Sequence, residues 1–229
     1  MVIEPTKTLV YLVRHGETTW NRERRFQGQQ DVPLSELGKE QSGVVARWLA
    51  GQQVKFGAVY SSDLARAAQT AGIIAATLSL EPVYSPALRE IHVGEWQGLL
   101  VDEIRQRYPG HPEEWDRLVD RFTLPGGESI PQVRDRVFAF YESIIKQHAG
   151  EAIVIVSHGA CLAALIVAMH GWDLVTTWET RLARMGNTGV SIISFDHKTG
   201  LHEPVLLNST SHLAEPPTGM TSLSDYKTT

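Results

Sequence analysis

With 229 residues, 42% hydrophobic and 8% aromatic, the chain is long enough to bury a full core as one domain or as a domain carrying an inserted cap. Its 21 Lys and Arg against 26 Asp and Glu leave a formal charge of -5, which excludes a global positive field, so neither nucleic acid nor a membrane is an expected partner and any anion site must be local. The lone cysteine, Cys161, excludes an internal disulfide framework and a multi-cysteine zinc cluster, and a reducing, cytoplasmic setting is expected. The first residues, MVIEPTKTLVYLVRHGE, lack a basic leader and a long apolar run, so neither signal peptide nor membrane anchor is expected.

In chain order, residues 8–13 (TLVYLV) form a short β-branched run, the pattern of a strand buried on both faces of a parallel sheet. A helix is predicted from Ser35 to Leu49, with Leu37, Val44, Val45 and Trp48 on one face. A strand at 58–60 follows, then Ser61-Ser62-Asp63 as a capping cluster for an Ala-rich helix over 64–78, with Arg66 in its first turn. Residues 82–84 read as a short strand leading to Leu88-Arg89-Glu90. The Pro- and Gly-punctuated stretch 94–130 reads as a lid or cap rather than core. An amphipathic helix over 130–148, a second buried strand at 153–157 (IVIVS) and a buried helix over 160–170 come next. A hairpin of strands 189–195 and 202–207, turning at 196–200, closes one sheet edge. The polar, Pro-containing stretch 214–229 is expected to be a flexible tail beyond one domain spanning 1–213. The fold class that follows is α/β: three layers, α/β/α, with a mostly parallel central sheet, one edge closed by an antiparallel hairpin, and a small helical cap.

Both core strands run into His-Gly: Arg14-His15-Gly16 and Ser157-His158-Gly159. Open α/β sheets place ligands at the carboxyl ends of their strands, so the sheet should bring the two rings together. The first motif extends through Glu17, Trp20 and Asn21 to Arg25-Phe26-Gln27-Gly28 and Asp31-Val32-Pro33-Leu34-Ser35. It is followed in order by Ser61-Ser62-Asp63-Leu64-Ala65-Arg66, Leu88-Arg89-Glu90 and Ser157-His158-Gly159. In these residues the chain resembles the histidine phosphatase superfamily, the phosphoglycerate-mutase-like proteins, from residue 8 to about 213. The resemblance implies that His15 is a nucleophile, its ring set by the Gly16 carbonyl, that Glu90 is the proton donor, and that Arg14, Arg66 and His158 form the phosphate pocket. It further implies phosphate or substrate contacts at Asn21, Gln27, Gly28 and Gly159.

Elementary chemistry agrees with that assignment. A transferring phosphoryl group spreads negative charge over its equatorial oxygens, which two guanidinium groups and a second imidazole can meet with N–H donors. A helix beginning near Asp63 would add its positive end to the same anion. An alkoxide leaving group needs a proton, and Glu90 suits that task. No cofactor and no metal is expected: the other histidines, His92, His111, His148, His170, His197, His202 and His212, show no ligand spacing and read as surface or packing groups. Cys161 reads as packing, since Val167 stands where a cysteine phosphatase needs its arginine.

The expected function is metal-independent hydrolysis of small phosphomonoesters through a phosphohistidine intermediate, by a monomer or homodimer. The alternatives are a phosphoglycerate mutase and a non-catalytic phosphate-binding module on the same fold. The mutase alternative is weakened by the short segment between Glu90 and His158, where no Arg-Arg-Ser-Tyr-Asp insertion is found.

Overall fold

The structure is a computed structural model that describes residues 3–213; the expected tail at 214–229 lies outside the described residues. In chain order the elements are β1 (Lys7–Arg14), α1 (Thr19–Arg22), α2 (Glu36–Ala50), β2 (Phe56–Ser61), α3 (Ala65–Leu78) and β3 (Pro82–Tyr84). There follow α4 (Val101–Arg107), α5 (His111–Arg117), α6 (Ile130–Ile145), β4 (Ala152–Ser157), α7 (Gly159–His170) and α8 (Leu174–Glu179), and finally β5 (Val190–Asp196) and β6 (His202–Ser209).

The described residues form a six-stranded sheet in the order β3-β2-β4-β1-β5-β6. The first four of these are parallel, while β5 runs antiparallel to β1 and pairs with β6 as the closing hairpin. Side chains of a strand alternate between faces, and here that alternation builds the three layers. Val10 and Leu12 of β1 with Ile153 and Ile155 of β4 bury beneath α6 and α7, against Val137, Tyr141, Leu162 and Leu165. Tyr11, Val13, Val154 and Val156 face the other way, against Val45 and Leu49 of α2 and Ala67, Ala71 and Ile74 of α3. Helix α7 is apolar nearly all round and buried along most of its length, because it is packed between the sheet and helices α6 and α8 rather than on the surface.

The cap is helical as expected, but its apolar side chains do not stand apart from the core. Trp96, Ile104, Val119 and Leu124 are each buried to 1% exposure or less, in the same cluster as the α6 and α7 side chains. Trp96 meets Phe26 and Trp115 edge-on, with ring centroids 5.6 and 5.8 Å apart, a geometry favoured between aromatic quadrupoles. Trp115 is partly buried in that contact.

Register places the site. Arg14 of β1 pairs with Ser157 of β4, and Ser61 of β2 pairs with Val156, so Arg14-His15, Ser157-His158 and Ser61-Ser62 leave the sheet side by side. The His15 amide donates to the Ser157 carbonyl at 3.0 Å, and the Ser62 amide to Val156 at 3.0 Å, carrying the ladder one residue beyond each strand. Because β5 is antiparallel, its entry loop, Asn187-Thr188-Gly189, arrives at this same edge.

Candidate active site

His15 is 2% exposed, and its ring is set by its own neighbour: Nδ1 lies 2.7 Å from the Gly16 carbonyl. A carbonyl only accepts, so Nδ1 carries the proton and Nε2 presents a lone pair. Arg66 Nε–H points at that lone pair from 3.3 Å. Burial, then Arg66, then Arg14 hold the imidazole well below its usual range against the opposing Gly16 bond, so the ring is neutral near pH 7. Gly16 must be glycine for a packing reason, since a Cβ there would collide with the Gly38 carbonyl in the first turn of α2. The His15 carbonyl is held in turn by the Asn187 side-chain amide at 3.0 Å and the Thr188 amide at 3.3 Å.

Arg66 is 1% exposed. Its Nη1 donates to the Gln30 carbonyl and its Nη2 to the Gly28 carbonyl, each at 2.8 Å. Burial pushes it down to about 10, with Glu90 opposing the shift, and it stays charged at neutral pH. The loop that offers those carbonyls needs Gly28: its φ is +50°, and a Cβ there would sit 2.5 Å from Val93 Cγ2. Gly28 is therefore placed with its carbonyl toward Arg66.

Arg14 donates from Nη1 to the Met185 carbonyl at 2.8 Å, while its buried Nε–H has no partner among the described residues. Burial lowers this guanidinium, with Glu90 opposing and Arg184 adding to the effect. His158 is fully buried, its ring centroid 5.1 Å from that of His15. Its Nε2 is 2.9 Å from Ser62 Oγ, and its Nδ1 is buried without a partner among the described residues. Burial, Arg66, His15 and Arg14 push His158 well below its usual range, so this ring is neutral as well.

Glu90 is half-buried at the start of α7, where Oε1 accepts from the Cys161 and Ile91 amides at 3.0 Å each and Oε2 from Ala160 at 3.3 Å. A Cβ on Gly159 would lie 3.8 Å from Glu90 Oε2 and 3.7 Å from Arg14 Nε, so this residue borders both the carboxylate and the guanidinium. Asn21 completes a capping box with Thr18, the N-cap of α1: its side-chain oxygen accepts from the Thr18 amide at 3.0 Å and from the Asn187 side-chain amide at 3.3 Å, which turns its own N–H pair away from both. The buried Gln27 accepts from Thr18 Oγ1 at 3.0 Å.

The sheet thus brings His15, Arg14, Arg66, His158 and Glu90 together, with Asn21 and Gln27 linked through Thr18 at the rim. One expectation fails. Asp63 does not cap α3, which begins at Ala65 after Leu64; its carboxylate instead takes both Nε and Nη2 of Arg89, at 2.7 and 2.5 Å. The Ala65 amide at the start of α3 donates to Asp31 Oδ1 at 2.6 Å, so that helix end already meets a protein carboxylate rather than waiting for a substrate anion. Ser62 and Asn187 were not singled out in the sequence. Ser62 reads locally as part of a helix cap, but the position of Asn187, just before a strand antiparallel to β1, marks it as belonging to the site. Among the described residues, no group of three or more His, Cys, Asp or Glu is arranged to hold a metal ion, and no helix is long and apolar enough to cross a membrane.

A phosphoserine phosphatase of Hydrogenobacter thermophilus is 35% identical over 204 residues, 89% of this chain and 93% of that protein. A probable phosphoglycerate mutase of Yersinia pestis is 36% identical over 214 residues, 90% of this chain and 95% of that protein. The fold is similar to that of a mycobacterial glucosyl-3-phosphoglycerate phosphatase, with a TM-score of 0.80 and 29% identity, covering 89% of this chain and all of that one. The family model for the histidine phosphatase superfamily, branch 1, matches residues 10–207, and the chain belongs to that family.

Proposed function

We propose that the protein is a metal-independent phosphatase that hydrolyses small phosphomonoesters through a phosphohistidine at His15. The observation that carries the reading is the 2.7 Å bond from His15 Nδ1 to the Gly16 carbonyl, which leaves Nε2 unprotonated inside a cluster of cationic and N–H donors, where its lone pair meets only the Arg66 Nε–H that a phosphoryl group would displace. In the first step Nε2 forms a bond to phosphorus as the ester P–O bond breaks. Arg14 Nε–H, the Arg66 guanidinium and the free nitrogen of His158 meet the equatorial oxygens, and Glu90 gives its proton to the departing oxygen. In the second step Glu90 takes a proton from water, whose oxygen attacks phosphorus, releasing inorganic phosphate and restoring His15.

Hydrolysis is favoured over phosphoryl return to a bound acid by the two relatives named as phosphatases, against one that bears a mutase name. Two relatives are named for phosphoserine and glucosyl-3-phosphoglycerate, each a phosphomonoester that also carries a carboxylate, which supports small phosphorylated acids as the substrate class. The single buried cysteine supports a reducing compartment such as the cytoplasm. The test is phosphate release from a panel of phosphomonoesters, with and without EDTA. Turnover unchanged by EDTA and lost in His15→Ala is expected. Interconversion of 2- and 3-phosphoglycerate without net phosphate release would replace this reading with the mutase.

A further inference from the structure

Glu90 sits on an irregular segment, between the short turn Pro86–Leu88 and the cap, and regular secondary structure does not fix it. Side-chain donors to its carbonyls do, most of them from a single residue outside the site. Arg136, on α6, uses all five of its N–H donors on this segment and on the residue that braces it. Nη1 donates to the carbonyls of Ala87 at 2.9 Å and Arg89 at 2.8 Å, and Nη2 to the carbonyl of Glu90 itself at 3.0 Å. Nε and Nη2 also hold Glu128, at 2.9 and 3.1 Å. Glu128 in turn accepts from the His92 amide at 2.8 Å and donates its own amide to the His92 carbonyl at 2.8 Å. The Arg136–Glu128 pair therefore grips the main chain on both sides of Glu90. Gln29 adds a further donor to the Glu90 carbonyl at 3.1 Å.

The carboxylate has anchors of its own, the amides of Ile91, Ala160 and Cys161. Those bonds are strong to an ionised carboxylate and weak to a protonated one. The form that donates a proton is therefore the form that those amides hold least, and its position depends on the main chain beneath it.

We propose that Arg136 is a positioning residue for proton donation: by clamping the main chain of residues 87–90 it holds the Glu90 carboxyl in reach of the leaving-group oxygen. The inference rests on the assignment of Glu90 as proton donor. A lysine in place of Arg136 retains a charge beside Glu128 but has three donors from one point rather than a planar array of five.

The test measures kcat/KM, which reports the steps up to phosphorylation of the enzyme, for an alkyl phosphomonoester and for 2,4-dinitrophenyl phosphate, whose leaving group departs without a proton. The ratio of the two in a single sample is independent of how much of that sample is folded. Glu90→Gln should depress the alkyl ester far more than the dinitrophenyl ester. Arg136→Lys and Arg136→Ala should show the same selective loss, about 10- to 100-fold on the alkyl ester relative to the dinitrophenyl ester. Adding either to Glu90→Gln should change that ratio no further. Equal losses on both esters in the Arg136 variants, with the selective loss intact in Glu90→Gln, would overturn the role of Arg136 and leave that of Glu90 standing. No selective loss in Glu90→Gln itself would overturn both.

Discussion

Ser62 and His158 meet through a hydroxyl–imidazole hydrogen bond of 2.9 Å, and that bond decides which proton His158 carries. An equatorial phosphoryl oxygen can only accept, so His158 serves it with its proton on Nδ1, and Ser62 Oγ, which accepts from the Leu64 amide at 3.3 Å, then donates its own hydrogen to Nε2. The ring proton then resides on Nδ1, the buried nitrogen without a protein partner, and this neutral histidine offers an N–H to a bound phosphoryl group. Ser62→Ala removes the tautomer control while keeping the ring. A fall of about tenfold in kcat/KM is expected, against about 10²- to 10³-fold for His158→Ala, which removes the donor altogether. Equal activity of Ser62→Ala and wild type in steady-state assays would contradict the assigned tautomer.

Gly28 supports Arg66 through its carbonyl while its backbone occupies the left-handed region at φ +50°. Gly28→Ala adds about 1–2 kcal/mol of backbone strain and a contact with Val93 that the loop must move to relieve. Because the moving carbonyl is the one that holds Arg66, the expected outcome is a lower unfolding midpoint together with a raised KM for substrate and a raised Ki for inorganic phosphate. A variant that lost stability and kept its phosphate affinity would show that the loop does not orient the guanidinium.

Histidine burial gives stability a definite pH dependence. His15 and His158 are held well below the usual imidazole range, and burial also lowers His202 and His212 to about 4 each. The unfolded chain protonates these rings near pH 6.5 while the folded chain resists, so protons favour the unfolded state and stability falls as pH drops below about 6.5. Between pH 6.5 and about 4.5 the effect is separated from the carboxylates that hydrogen bonds hold low, Asp63, Glu128, Asp173 and Asp196, which act at still lower pH. Urea midpoints across that window should decline with acid. The decline should be shallower in a His15→Asn/His158→Asn variant.

Trp96 tests whether the cap shares the core. Its side chain is fully buried against Phe26 and Trp115, so Trp96→Ala should cost about 3–5 kcal/mol. Since its cluster is continuous with α6 and α7, the loss should appear as a lower midpoint of a single cooperative transition followed by circular dichroism. A separate early transition for the cap, with the main transition unmoved, would contradict this.

The parts of the fold that read from sequence were those where one local pattern dominates. TLVYLV and IVIVS are β-branched because β1 and β4 are covered on both faces, and each carries its His-Gly to the sheet edge, so the meeting of His15 and His158 follows once the two strands pair side by side. Ser35 caps α2 as expected, accepting from the Gly38 amide at 3.1 Å. The failures are long-range. Asp63 has the local signature of a helix cap, but Arg89 outcompetes the backbone for its carboxylate, a partner 26 residues away that no window could supply. Arg136 looks like one more polar residue on an amphipathic helix, and only the packing of α6 against the turn at Pro86–Leu88 turns it toward Glu90. The cap shows helix signals and breakers but no register, so the burial of Val119 and Leu124 in the main core is not legible from punctuation alone.

Trapping the covalent state reaches the central claim most directly. Wild-type protein mixed with substrate, quenched in alkali within the first turnover and mapped by mass spectrometry, should carry phosphate on His15 in an acid-labile bond, and on no residue in His15→Ala. Phosphate bonded to a different side chain, or steady turnover with none bonded at any time point, would contradict it.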